Sequence, residues 1–125
     1  AVPSAAMMDL TSTGDFILLP IEKDIADKLH EINPAYYADV VKGGTYPGLD
    51  EDVPLVSVAN WILTHEDVPE DVVYKFVKTM YENHEDLVAA HKVASNTTLE
   101  NALNGQTIPL HPGAEKYFKE QGVVK

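Results

Sequence analysis

The chain has 125 residues, 45% of them apolar and 23% charged, enough for one core of ordinary size and typical of soluble globular proteins. A net charge of -11 repels a phosphate backbone or an anionic lipid surface, so neither nucleic acid nor a membrane surface is expected as a partner. Cysteine is absent, which removes disulfide frameworks, thiolate metal sites and cysteine nucleophiles.

The chain starts Ala1-Val2-Pro3, with no initiator Met, no basic-then-apolar leader and no apolar run long enough to span a membrane. A mature, trimmed or excised polypeptide is therefore expected. Pro3 suits a first helical turn, and Ala5, Ala6, Met7, Met8 and Leu10 are good helix formers, so a short helix is predicted up to the breaker run Thr11-Ser12-Thr13-Gly14. Phe16-Ile17-Leu18-Leu19, bounded by Gly14-Asp15 and Pro20, has the length of a buried strand. From Lys23 to Ile32, the residues Ile25, Ala26, Leu29 and Ile32 recur at helical spacing and predict an amphipathic helix that ends before Pro34.

Tyr36 to Val41 reads as extended, and Gly43-Gly44-Thr45-Tyr46-Pro47-Gly48 as an irregular loop. After Asp50-Glu51-Asp52, the stretch Val53 to Thr64, which carries Trp61, predicts a central strand. Pro69 opens the strongest helix, with Val72, Val73, Phe76, Val77 and Met80 as its apolar stripe and Glu70 and Asp71 at the positive end of its dipole. A short helix is predicted over Glu85 to His91. Thr97-Thr98-Leu99-Glu100 fits a capping box, with Ala102 and Leu103 in the turn and Gly105 ending it. A last helix runs from Pro112 to Gln121 and stops at Gly122. The tally is two or three strands among five or six helices, an α/β chain whose helices pack around a sheet too small to protect its own edges.

Gly44-Thr45-Tyr46-Pro47-Gly48 followed by Asp50-Glu51-Asp52-Val53-Pro54 resembles the signature loop of the TAXI family, the solute-binding proteins of TRAP-type transporters. Val68-Pro69-Glu70-Asp71-Val72, Leu99-Glu100-Asn101-Ala102-Leu103 and Ile108-Pro109-Leu110-His111-Pro112-Gly113-Ala114 are similar to the same family's C-terminal pattern, so the likeness runs from about Val2 to Val124. It implies a partial periplasmic-binding-protein-like fold of type II character that lacks its N-terminal portion. Residues 1–49 would belong to the second lobe and end in the glycine-rich interlobe loop, and residues 50–125 would return into the first. It further implies a periplasmic or extracytoplasmic receptor that carries a small solute, an organic acid or an amino acid such as a glutamate-like ligand, to membrane permease subunits.

Two readings of Gly43 to Gly48 stay open: a hinge-side loop whose amides approach the ligand, with Tyr46 as aromatic wall and hydroxyl, or a plain connector between lobes. The unpaired amides near Ser4 and Ala5 offer a place for a carboxylate, against the alternative of ordinary capping. Ser4, Thr45 and Tyr46 are accordingly the candidate ligand-binding residues. His65-Glu66-Asp67 and His84-Glu85-Asp86 read better as polar helix starts than as metal ligands, and His84 and His91 lie too far apart on one helix to share an ion. None of Ser4, Ser12, Ser57 and Ser95 stands in a nucleophile elbow, and no phosphate-cradling loop is present, so no catalytic residue, metal or cofactor is expected. Asn96-Thr97-Thr98 fits a glycosylation sequon, and its threonines fit a helix cap better. The rival to a receptor is a stand-alone protein-interaction module, with self-association through an exposed strand edge as its signature.

Overall fold

The computed structural model describes residues 2–14 and 16–125. They form five α-helices, a short 3-10 helix and one two-stranded sheet, divided into two compact units, Ala1–Ala59 and Asn60–Lys125.

In the first unit, Ser4 adopts extended dihedrals and caps α1 (Ala5–Thr13), its Oγ accepting from the Met7 amide at 3.3 Å. The helix does not stop at Thr11 as its residue types predict. The hydroxyls of Thr11, Ser12 and Thr13 each donate to the carbonyl three residues back, at 2.9, 2.7 and 2.9 Å, and so cease to compete for the backbone. Gly14 ends the helix.

The predicted buried strand at Phe16-Ile17-Leu18-Leu19 does not form. Phe16 and Leu18 turn onto a small core of Val41, Tyr46 and Leu49, while Ile17 and Leu19 stand 86% and 76% exposed. Two residues beyond Leu19, Ile21 N donates to Pro54 O at 2.8 Å. Pro20 and Pro54 have no amide hydrogen, which removes the donors a continuous ladder would need on the facing segments.

Helix α2 (Lys23–Ile32) has the predicted bounds, braced by Lys23–Asp27 and Lys28–Asp24 pairs one turn apart. Its stripe is only half used, for Ala26 is fully buried and Leu29 partly so, whereas Ile32 is 82% exposed. Strands β1 (Tyr36–Val41) and β2 (Val53–Val58) pair antiparallel, with Tyr36 opposite Val58 and Val41 opposite Val53. The strand predicted to reach Thr64 ends at Val58 because β1 has run out there, and Ala59 to Thr64 have no ladder to join.

The second unit holds α3 (Glu70–Glu82), α4 (His84–Ala90), the 3-10 helix at Lys92–Asn96 and α5 (Pro112–Glu120). Its core is Val73 and Val77 of α3 against Tyr117 and Phe118 of α5. The buried face of α3 is thus turned from the predicted stripe, and Val72 and Phe76 lie on the exposed side. Aromatic packing selects the face: Tyr81 stacks on Tyr117 at 5.8 Å between ring centres, and Tyr74 meets the Tyr117 edge at 6.2 Å. Burial raises the phenol pKa of both Tyr81 and Tyr117, so these rings are held neutral.

The capping sequence at Thr97 to Glu100 starts a series of turns rather than a helix. The cap bond runs from Asn101 N to Thr98 Oγ1 at 3.3 Å, one residue beyond the predicted register, and Gly105 closes the series in the left-handed region at φ 68°.

Candidate functional site

The glycine-rich loop between β1 and β2 closes on itself before it can present anything. Gly44 N donates to Leu49 O at 2.6 Å, Thr45 N to Lys42 O at 3.1 Å and Leu49 N to Tyr46 O at 3.1 Å. Gly44 and Gly48 both sit at φ 80°, where a side chain is strained. Gly43 is required for a different reason, because a Cβ there would strike the Asp50 carbonyl.

One side chain clasps the base of the loop. The Asp52 carboxylate accepts from Lys42 Nζ at 2.7 Å and from the Gly43 amide at 3.0 Å. The hydrogen bond from Lys42, then that from Gly43, hold the Asp52 carboxyl below the usual carboxylate range. Residue types alone did not single out this clasp; the signal for it was a lysine immediately before the double glycine and an acidic run after the loop.

Of the three candidate ligand-binding residues, the structure joins two. Tyr46 is 4% exposed, and its hydroxyl accepts from the Ser4 amide at 3.0 Å across 42 positions of sequence. This contact ties the start of α1 to the loop. Thr45 is the neighbour of Tyr46, half-buried, and its backbone is spent on the turn.

The chemistry left over at this place is that of donors. The Tyr46 oxygen accepts from Ser4, and the Ser4 hydroxyl accepts from Met7. Among the described residues, neither hydroxyl donates to a protein acceptor. Both O–H groups stand at the N-terminal, positive end of the nine-residue helix α1.

The histidines of the second unit are engaged by the backbone. His111 caps α5, its Nδ1 accepting from Gly113 N at 3.1 Å, which places the ring proton on Nε2 for the Val68 carbonyl 3.0 Å away. His84 Nε2 meets Ala94 O at 2.8 Å, and His91 Nδ1 accepts from Val93 N at 3.3 Å. Among the described residues, no cluster of three or more His, Asp or Glu has the arrangement to hold a metal ion. Ser57 Oγ donates to Asp39 Oδ2 at 2.6 Å, a cross-strand pair without a histidine.

Among the described residues, no helix is long and apolar enough to cross a membrane. A family model described as the NMT1-like family matches residues 1–122, and that family is related to periplasmic binding proteins.

Proposed function

The chain belongs to the NMT1-like family, and from that premise we propose that it is the solute-binding component of a TRAP-type transporter of the TAXI class. The observation that carries the general solute-binding role is the family match across residues 1–122. The finer reading rests on the resemblance of Gly44-Thr45-Tyr46-Pro47-Gly48 and the acidic run behind it to the TAXI signature.

In this reading the protein does no chemistry on its ligand. It works outside the cytoplasm, captures a small organic acid or an amino acid, and hands it to permease subunits. The Tyr46 and Ser4 hydroxyls donate to a carboxylate of the ligand, with the N-terminus of α1 and Thr45 beside them.

A stand-alone interaction module is the second reading, favoured by the exposure of Ile17, Leu19 and Ile32 on the first unit. One set of samples separates the two. The chain, its Tyr46→Phe variant and a longer polypeptide containing it are melted with amino acids and dicarboxylates, with light scattering on the same solutions. A ligand at a hundred times its Kd stabilises by about 2.7 kcal/mol. A shift that Tyr46→Phe abolishes supports the receptor. No shift in either polypeptide, together with association that grows with concentration, rejects it in favour of the module.

A further inference from the structure

The turn that precedes the last helix carries a reactive pair outside the proposed ligand site. Asparagine occurs at Asn33, Asn60, Asn83, Asn96, Asn101 and Asn104, and only Asn104 is followed by glycine. The six following residues differ in what they place beside the side-chain amide. Pro34 has no amide hydrogen, while Trp61, His84, Thr97 and Ala102 each set a Cβ next to the backbone nitrogen. Gly105 sets nothing there.

The local structure leaves this nitrogen free. Asn104 N donates to Asn101 O at 3.1 Å and Gln106 N to Leu103 O at 3.2 Å, but among the described residues Gly105 N, between them, has no acceptor. The pair lies in turns rather than in a helix or strand, so no ladder of hydrogen bonds resists its rotation. The side chain of Asn104 is held by one exposed bond, from Nδ2 to Asn101 Oδ1 at 3.2 Å.

We propose that Asn104-Gly105 is a site of spontaneous deamidation, at which the free Gly105 amide closes onto the Asn104 side chain and converts it to aspartate and isoaspartate. Gly105 N loses its proton to solvent base and attacks Asn104 Cγ. The C–N bond to the side-chain nitrogen breaks, that nitrogen takes a proton and leaves as ammonia, and a five-membered imide remains. Water then opens the ring at either carbonyl, returning the nitrogen its proton and leaving a carboxylate. No oxidant, reductant or enzyme enters the balance.

The consequence is local and electrostatic. The amide that donated to Asn101 Oδ1 is replaced by an acceptor facing an acceptor, and the chain of amides from Asn104 to Asn101 to the Asn96 carbonyl, closed at 3.2 Å at each step, loses its first link. The isoaspartyl product also adds a backbone methylene ahead of Gly105, whose φ of 68° sets the exit of the turn.

The test is ageing of the intact chain in mildly alkaline heavy-oxygen water, followed by peptide mapping. The expected result is a single site of change at Asn104, with release of ammonia, one heavy oxygen incorporated and two resolved products. The change should accelerate as the pH is raised and should be lost in Asn104→Gln, whose longer side chain would have to close a six-membered ring. Gly105→Ala suppresses it too, but strains the turn, so Asn104→Gln is the deciding variant. An unchanged Asn104 under conditions that convert an unstructured Asn-Gly peptide would overturn the proposal, as would conversion mapped to another asparagine.

Discussion

Asp52 shows how one carboxylate can fasten a loop that the backbone alone only outlines. Its two oxygens take a charged donor, Lys42, and a neutral one, the Gly43 amide, and the lysine bond is the larger cause of its lowered pKa. The folded carboxyl is a stronger acid than the unfolded one. Its contribution to stability is therefore complete above the ordinary value of 3.8 and fades as the pH falls through the lower folded value. Asp52→Asn should remove that part of the acid sensitivity, leaving the denaturation midpoint less dependent on pH on the acid side than in the parent chain. The carboxylate is solvent-exposed, so salt should weaken the clasp. Equal slopes in the two proteins would show that the clasp does not act on stability. The acidic run was legible in sequence, but which of Asp50, Glu51 and Asp52 turns back to the loop was not, because that depends on where β2 begins.

At the scale of elements, legibility followed how much of the deciding interaction was local. The bounds of α2 and the start of α5 could be read because a helical stripe, a following proline and a Pro at the first turn all act within a few residues. The face of α3 could not, because Tyr117 and Phe118, some forty residues on, select Val73, Val77 and Tyr81 over the equally apolar Val72 and Phe76. Their partnership depends on a close crossing. Gly113, in the first turn of α5, lies where an added Cβ would collide with the Glu70 carbonyl, stand 2.7 Å from Tyr74 N and 3.0 Å from Val73 Cβ. Two of these three atoms are helical backbone and cannot swing aside. Gly113→Ala should therefore destabilise the α3–α5 pair by about 1–3 kcal/mol, the usual range for overpacking, read as a lower denaturant midpoint. Retention of the parent midpoint would mean that the two helices can separate without loss. The glycine itself was visible in the Leu110-His111-Pro112-Gly113 sequence, but nothing local distinguishes a glycine that admits a neighbouring helix from one that merely bends the chain.

Over the whole molecule, the two hydrophobic clusters share no residue. One is built from Val41, Tyr46 and Leu49, with Met7, Phe16 and Leu18 against them, and the other from Val73, Val77, Tyr117 and Phe118. The same division bears on the candidate site. Ser4 and Tyr46 meet within the first unit through a contact that no periodicity could foretell, since it joins a helix cap to a loop 42 positions away. Each unit has roughly the size at which a domain buries only about 60% of its unfolded surface, so each should be marginal and should open on its own terms. Hydrogen exchange on paired variants makes this concrete. Leu49→Ala removes a buried side chain from the first core and should cost about 2–5 kcal/mol there, raising exchange over Tyr36–Val41 and Val53–Val58. Gly113→Ala should raise exchange over Glu70–Glu82 and Pro112–Glu120 instead. Sites with no shared partner add independently, so the double variant should show the sum of both patterns and no more. Exchange rising across both units in either single variant would mean that the chain opens as one body.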